Sequence, residues 1–151
     1  MRILTIAFAF LLLLAPAGQA EPRPSSVTYI PAPEVSAAFA KGKPLVEVDG
    51  YKVHASRREG PGMAEVHVRD TDIVYVLEGS ARFVTGGTVM DGKTTAFEEI
   101  RGVSIEGGES RRLVKGDVVI VPNGTPHQFL DVQAPLLYYV VKVAAINGGS
   151  R

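Results

Sequence analysis

The sequence contains no cysteine, which excludes a disulfide framework and excludes a lipid attached through an N-terminal cysteine. Stability must therefore come from packing, a bound metal or association. Net charge is also missing, because 16 basic side chains balance 16 acidic ones. Nothing in that balance favours nucleic acid or an anionic membrane as a partner. No apolar run is long enough to cross a bilayer. The longest, Ile3 to Leu14, has about a dozen residues where roughly 20 are needed. That run follows Met1-Arg2 and leads into Ala-Pro-Ala-Gly-Gln-Ala, with small residues at Gly18 and Ala20, which is the pattern of a signal peptide cleaved after Ala20. The expectation is an exported protein, periplasmic or secreted, with no stable membrane anchor.

What the chain does have is punctuation: 16 glycines and 10 prolines are spread along it, a distribution that favours short strands joined by turns over long helices. Residues 21–44 read as an N-terminal arm and short helix: Glu21 to Pro33 is extended, with Val27 to Ile30 able to pair as an edge strand, and a short helix runs over Glu34 to Lys41, stopped by Gly42. Asp49-Gly50 joins the strands Leu45 to Val48 and Tyr51 to Ser56 in a tight hairpin. Further strands are expected over Met63 to Arg69, Asp72 to Leu77 and Ala81 to Val84, with turns at Asp70-Thr71 and Gly79. Residues 86–110 read as an irregular excursion or lid. Strands return at Arg111 to Val114, Asp117 to Val121, His127 to Val132 and Leu136 to Val143, and residues 147–151 form a flexible tail. About ten short strands and one helix make one all-β domain over residues 45–146, a sandwich or barrel.

Within that domain Glu65 and His67 stand two residues apart, a spacing that sends both side chains to one face of a strand. Asp72 opens the next apolar run. Carboxylates and imidazoles together are divalent-metal ligands, and His127 is the residue elsewhere in the chain that can close such a shell. Each has an alternative: Asp72 as the cap of the Asp70-Thr71 turn, His127 bonded to backbone, Glu65 and His67 on a solvated face. His54 is a surface or lining residue on the preceding hairpin strand. Arg69 has the parity of Glu65 and His67, so it faces the same space if the strand stays regular and solvent if it does not. Tyr138 and Tyr139 must point to opposite faces.

Gly116, Pro122, Gly124, His127 and Asp131 form the pattern Gly-x5-Pro-x-Gly-x2-His-x3-Asp. This resembles the second motif of the cupin family, with Asp131 in the place of an asparagine. The first cupin motif, Gly-x5-His-x-His-x3or4-Glu-x6-Gly, can be laid on the chain from Gly79 backwards: its acidic position falls on Asp72, its second histidine on His67 and its first histidine on Glu65. Its opening glycine falls on Glu59, one place before Gly60. The resemblance covers roughly Val46 to Val143.

It implies a double-stranded β-helix, or jelly-roll, barrel in which the two motifs meet around one metal. The implied ligands are Glu65, His67, Asp72 and His127. Two imidazoles and two carboxylates suit Fe, Mn, Zn or Ni without choosing among them. With one carboxylate free, the set becomes two histidines and a carboxylate, and the free group is available as a general base. The implied function is a metal-dependent enzyme on a small molecule, dioxygenase-like. The alternatives are a non-catalytic small-ligand or metal-binding module and a stress or storage scaffold. A homodimer is the usual assembly for the family.

Overall fold

The computed structural model describes residues 26–145. The expected signal peptide, the start of the arm and the flexible tail lie outside the described residues. Helix α1, Ala32–Lys41, begins behind Pro31 and ends at Gly42, whose φ of 61° is the left-handed conformation that closes a helix and whose N–H bonds back to the carbonyls of Ala38 and Phe39. Phe39 packs edge-on against Tyr139, ring centroids 4.9 Å apart, so α1 covers the outside of the sheet. The edge strand expected at Val27 to Ile30 does not form. Those residues have no ladder partner among the described residues, and Val27 and Tyr29 are exposed.

Strands β1 (Lys43–Val48) and β2 (Tyr51–Arg58) form the hairpin around Asp49-Gly50. Strand β3 (Ala64–His67) ends two residues earlier than the sequence suggests. The chain bends at Val68-Arg69 and β4 starts at Asp70. Strand β4 (Asp70–Thr85) is continuous through Gly79, and β11 (His127–Ala144) is continuous through Gln133-Ala134-Pro135, so two pairs of expected strands are each one long bent strand. The ladder survives these bends because Gly79 takes φ 76° and because β11 shifts register against β4 between Leu130 and Tyr138.

The interval read as an excursion or lid contains four strands: β5 (Thr88–Met90), β6 (Lys93–Ala96), β7 (Glu99–Gly102) and β8 (Ser104–Glu106). Strands β5 and β8 pair with each other, but β7 pairs with β3 along its full length and belongs to the barrel wall. The remaining strands are β9 (Glu109–Val114) and β10 (Val118–Val121), both paired with β4.

The long strands place each half of the molecule. The second half of β11 lies between β2 and the first half of β4, giving one wall; its first half lies against the second half of β4 and meets β3, which continues through β7 to β6, giving the other. The sheets curl into a jelly-roll barrel. Phe83, Leu136 and Val76 are its largest fully buried side chains. The Phe83 and Phe129 rings lie 4.6 Å apart, and Phe129 stacks on Tyr138 at 5.1 Å. This aromatic file floors the barrel beneath the site, with Phe83 6.0 Å from the ring of His127. Phe83→Ala is expected to cost about 3–5 kcal/mol, because it removes a ring from a packed interior that can only partly collapse; urea denaturation of the two proteins measures the difference.

Candidate metal centre

The barrel holds a cavity of about 240 Å³ that opens to solvent, and the strand register decides which side chains enter it. Glu65 on β3 is flanked directly by His127 on β11 and by Arg101 on β7, so these three form one row across the wall. The next inward position of β3 is His67, opposite Glu99. On the other wall Asp72 of β4 is directly opposite Lys142 of β11. Cross-strand partners share a face, so all these side chains meet inside.

One donor atom from each of Glu65, His67 and His127 lies within 4.8 Å of the others. Glu65 Oε2 is 3.9 Å from His67 Nε2 and 3.9 Å from His127 Nε2. An ion with ligand distances of about 2.0–2.2 Å can span donor pairs up to roughly 4.4 Å, so these separations suit a shared cation. His127 is also held in the right tautomer. Its Nδ1 lies 3.2 Å from the Thr125 carbonyl oxygen, and a carbonyl can only accept, so Nδ1 carries the proton and Nε2 presents its lone pair to the cavity.

Asp72 stands beside this trio. Its Oδ2 is 3.5 Å from His67 Nε2 and 4.0 Å from His127 Nε2, but Lys142 Nζ donates to both of its oxygens at 2.8 Å. The register that makes Asp72 and Lys142 direct neighbours thus gives the buried carboxylate a cation of its own. Lys142→Met is expected to leave Asp72 buried and unpaired, at a cost of about 3–5 kcal/mol without metal. A divalent ion in the site supplies the missing positive charge, so the gap between metal-free and metal-loaded melting temperatures should widen in the variant; calorimetry on both forms reads it.

Burial holds the His67 imidazole below its ordinary 6.5, with Lys142 and His127 pushing the same way and Asp72 and Glu65 opposing. Burial likewise lowers His127, against the Thr125 hydrogen bond and the two carboxylates. Both rings are therefore neutral at pH 7, the state that binds metal. Below pH 6.5 an unfolded chain takes up protons on these residues before the folded protein does, so this pair makes the metal-free protein lose stability as pH falls from about 7 towards 5. Melting curves across that range check the sign, and the His127→Ala protein should show a shallower loss.

Two arginines complete the lining. Arg58, at the end of β2, donates from Nε to the Tyr138 hydroxyl at 2.8 Å and lies 4.6 Å over the Phe129 ring. Burial raises the Tyr138 pKa against the opposing charge of Arg58, so the phenol stays protonated. Arg101 on β7 is hydrogen-bonded to Glu99. Burial alone would raise Glu99, but the bond and charge of Arg101 more than offset it and the carboxyl sits below its ordinary value.

The other residues singled out in the sequence fall as follows. His54 lines the cavity but its Nε2 bonds to Glu47 at 2.9 Å. Arg69 lies past the end of β3 and leaves the row. It reaches Glu98 at 3.6 Å in an adjoining pocket. Tyr138 is the inward member of the tyrosine pair. Asp131, with φ 45°, is ion-paired to Arg82 at 2.6 Å on the exposed bend of β11. Sequence reading missed Arg58, Glu99, Arg101 and Lys142. Lys142 shares inward parity with Tyr138, and Arg58 shares it with His54 and Ser56, so the signal for these two was present.

A family model described as Cupin matches residues 52–146. A search of curated proteins finds no match. Among solved structures, the chain is similar to BH2720 from Bacillus halodurans, with a TM-score of 0.53 and 14% identity over 86% of this chain and 88% of that one. It is similar to hydroquinone 1,2-dioxygenase from Sphingomonas sp. TTNP3 with 4-hydroxybenzoate bound, with a TM-score of 0.53 and 14% identity over 83% and 86% of the two chains. KdgF from Halomonas sp. aligns with a TM-score of 0.49 and 20% identity over 70% of this chain and 80% of that one. At such identities the likeness is one of fold.

Proposed function

Because this chain belongs to the cupin family, we propose that it is an exported protein that holds one divalent transition metal through Glu65, His67 and His127 and acts as a metal-dependent enzyme on a small molecule, with dioxygenase-type chemistry the first to test. The observation that carries the reading is the convergence of one oxygen and two nitrogen donors within 4.8 Å inside the barrel. Two histidines and one carboxylate leave coordination positions open to substrate, the arrangement of non-haem iron oxygenases. When bound, the metal supplies Lewis acidity and, in the case of iron, redox chemistry.

The chain's own residues have separate tasks in this reading. His127 is oriented by Thr125. Glu65 turns Oε2 to the imidazoles and Oε1 to the arginines, 3.8 Å from Arg58 and 3.6 Å from Arg101. Asp72, fixed by Lys142, is the group that accepts a proton at Oδ2 from a substrate in the cavity. The second reading, a non-catalytic metal or ligand binder, draws its support from the same contact, since Lys142 occupies both oxygens of Asp72.

Metal analysis of protein purified without a tag or added metal, followed by oxygen uptake over phenols, thiols and diketones, separates the readings. Metal with uptake supports the enzyme, metal without uptake supports the binder, and no metal removes the enzyme and leaves only a metal-free ligand binder. A homodimer is part of the proposal. Its support is the exposed apolar set Val118, Ile120 and Val143 on the barrel and Val27 and Tyr29 on the arm, and light scattering checks it.

A further inference from the structure

The charges that line the cavity do not cancel once a metal is counted. Three cations, Arg58, Arg101 and Lys142, face three carboxylates, Glu65, Asp72 and Glu99. Lys142 is committed to Asp72 and Arg101 Nε to Glu99. This leaves Glu65 to balance Arg58, and in the reading above Glu65 is spent on the metal. A divalent ion then leaves the lining two units positive, with Arg58, Glu65, Asp72 and Lys142 largely shielded from water. An anion is the species that such an interior takes up.

The place for it is marked by the two guanidinium groups. Arg58 Nη2 and Arg101 Nη2 approach the same atom, Glu65 Oε1, from β2 and from β7, at 3.8 and 3.6 Å. Both distances exceed a hydrogen bond, so Glu65 does not satisfy these donors, and both residues line the cavity. Arg58 is fixed before any ligand arrives: its Nε is used by Tyr138, its plane rests over Phe129, and the missing side chain of Gly62 makes room for its Nη1. A guanidinium held in this way presents a planar fork, and a carboxylate is the planar anion that matches it.

We propose that Arg58 and Arg101 form a carboxylate-binding pair, so that the site takes a small organic acid with its carboxylate on the two arginines and its remaining part towards Glu65, His67 and His127. This deepens the metal-centre reading and rests on it. The alternative role for the pair is to neutralise Glu65 only, which predicts no preference for an acid.

The test is isothermal titration of metal-loaded protein with matched acids and amides: benzoate against benzamide, and succinate against succinamide. At least one acid is expected to bind tenfold or more tightly than its amide. Arg101→Gln, at a half-exposed side chain, and Arg58→Met, which keeps a stem over Phe129, should each remove most of that preference with metal content unchanged. If no acid binds, if acid and amide bind alike, or if the preference survives both substitutions and so belongs to the metal, the pair does not hold a carboxylate. Metal analysis of the same samples keeps the two ideas apart: a metal-loaded wild type without preference overturns this inference alone, whereas a metal-free wild type overturns the centre.

Discussion

His127→Ala is expected to lower the metal content of the purified protein from about one ion per chain to below about a tenth of that, a loss of 100-fold or more in affinity. His127 is nearly fully buried, its tautomer is fixed by Thr125, and its Nε2 faces Glu65 and Asp72. No other imidazole among the described residues can replace it, because His54 is turned to Glu47. Glu65→Ala should have a comparable effect, with an added penalty. It removes the carboxylate that both Nη2 atoms of Arg58 and Arg101 approach, leaving two partly buried cations close together. Glu65→His restores the residue type that the first cupin motif places there and is expected to retain metal, which separates loss of a ligand from collapse of the barrel. Elemental analysis of the three variants, with circular dichroism to confirm folding, gives the comparison.

Gly79→Ala is expected to be strongly destabilising for a single added methyl group, costing about 4 kcal/mol or more. Gly79 has φ 76°, and a Cβ there would lie 2.5 Å from the Pro135 carbonyl oxygen, 2.7 Å from that of Gln133 and 3.0 Å from Leu136 Cα. All three are backbone atoms of β11, where the two longest strands bend together, so no side chain can swing aside. Gly124→Ala is the control. It carries the same left-handed strain, φ 75°, with nothing within 4 Å, and should cost only about 1–2 kcal/mol. Midpoints of urea unfolding measure both. A Gly79→Ala protein as stable as Gly124→Ala would mean that the two bends do not pack as described.

The relation of Gly79 to β4 shows what was legible in the sequence and what was not. The residue was readable as a special backbone position, but the sequence shows a break in the apolar pattern and not whether the ladder continues across it. The same ambiguity made β11 look like two strands. The metal donors were legible because two spaced motifs carried them, and the period of a strand placed Glu65 and His67 on one face. Asp72 was legible as a carboxylate near the site. Its pairing with Lys142 was not, because that contact comes from the β4 and β11 register and joins residues 70 positions apart.

Arg101 and Glu99 were missed for a different reason. The four residues Glu99-Ile-Arg-Gly lack the apolar alternation of a half-buried strand because two of the side chains that enter the cavity are charged. A strand that serves a polar site conceals itself from a reading based on hydrophobic period. Val27 to Ile30 shows the converse: an apolar, β-branched run with no partner among the described residues reads as a strand by composition and forms none.

Whether Glu65, His67 and His127 cradle one metal can be read by anomalous diffraction from crystals of the protein purified without a tag or added metal. One strong peak per chain is expected, within coordination distance of Glu65 Oε2 and the Nε2 atoms of His67 and His127. A featureless cavity in such crystals, or a peak held by residues outside this trio, would contradict it.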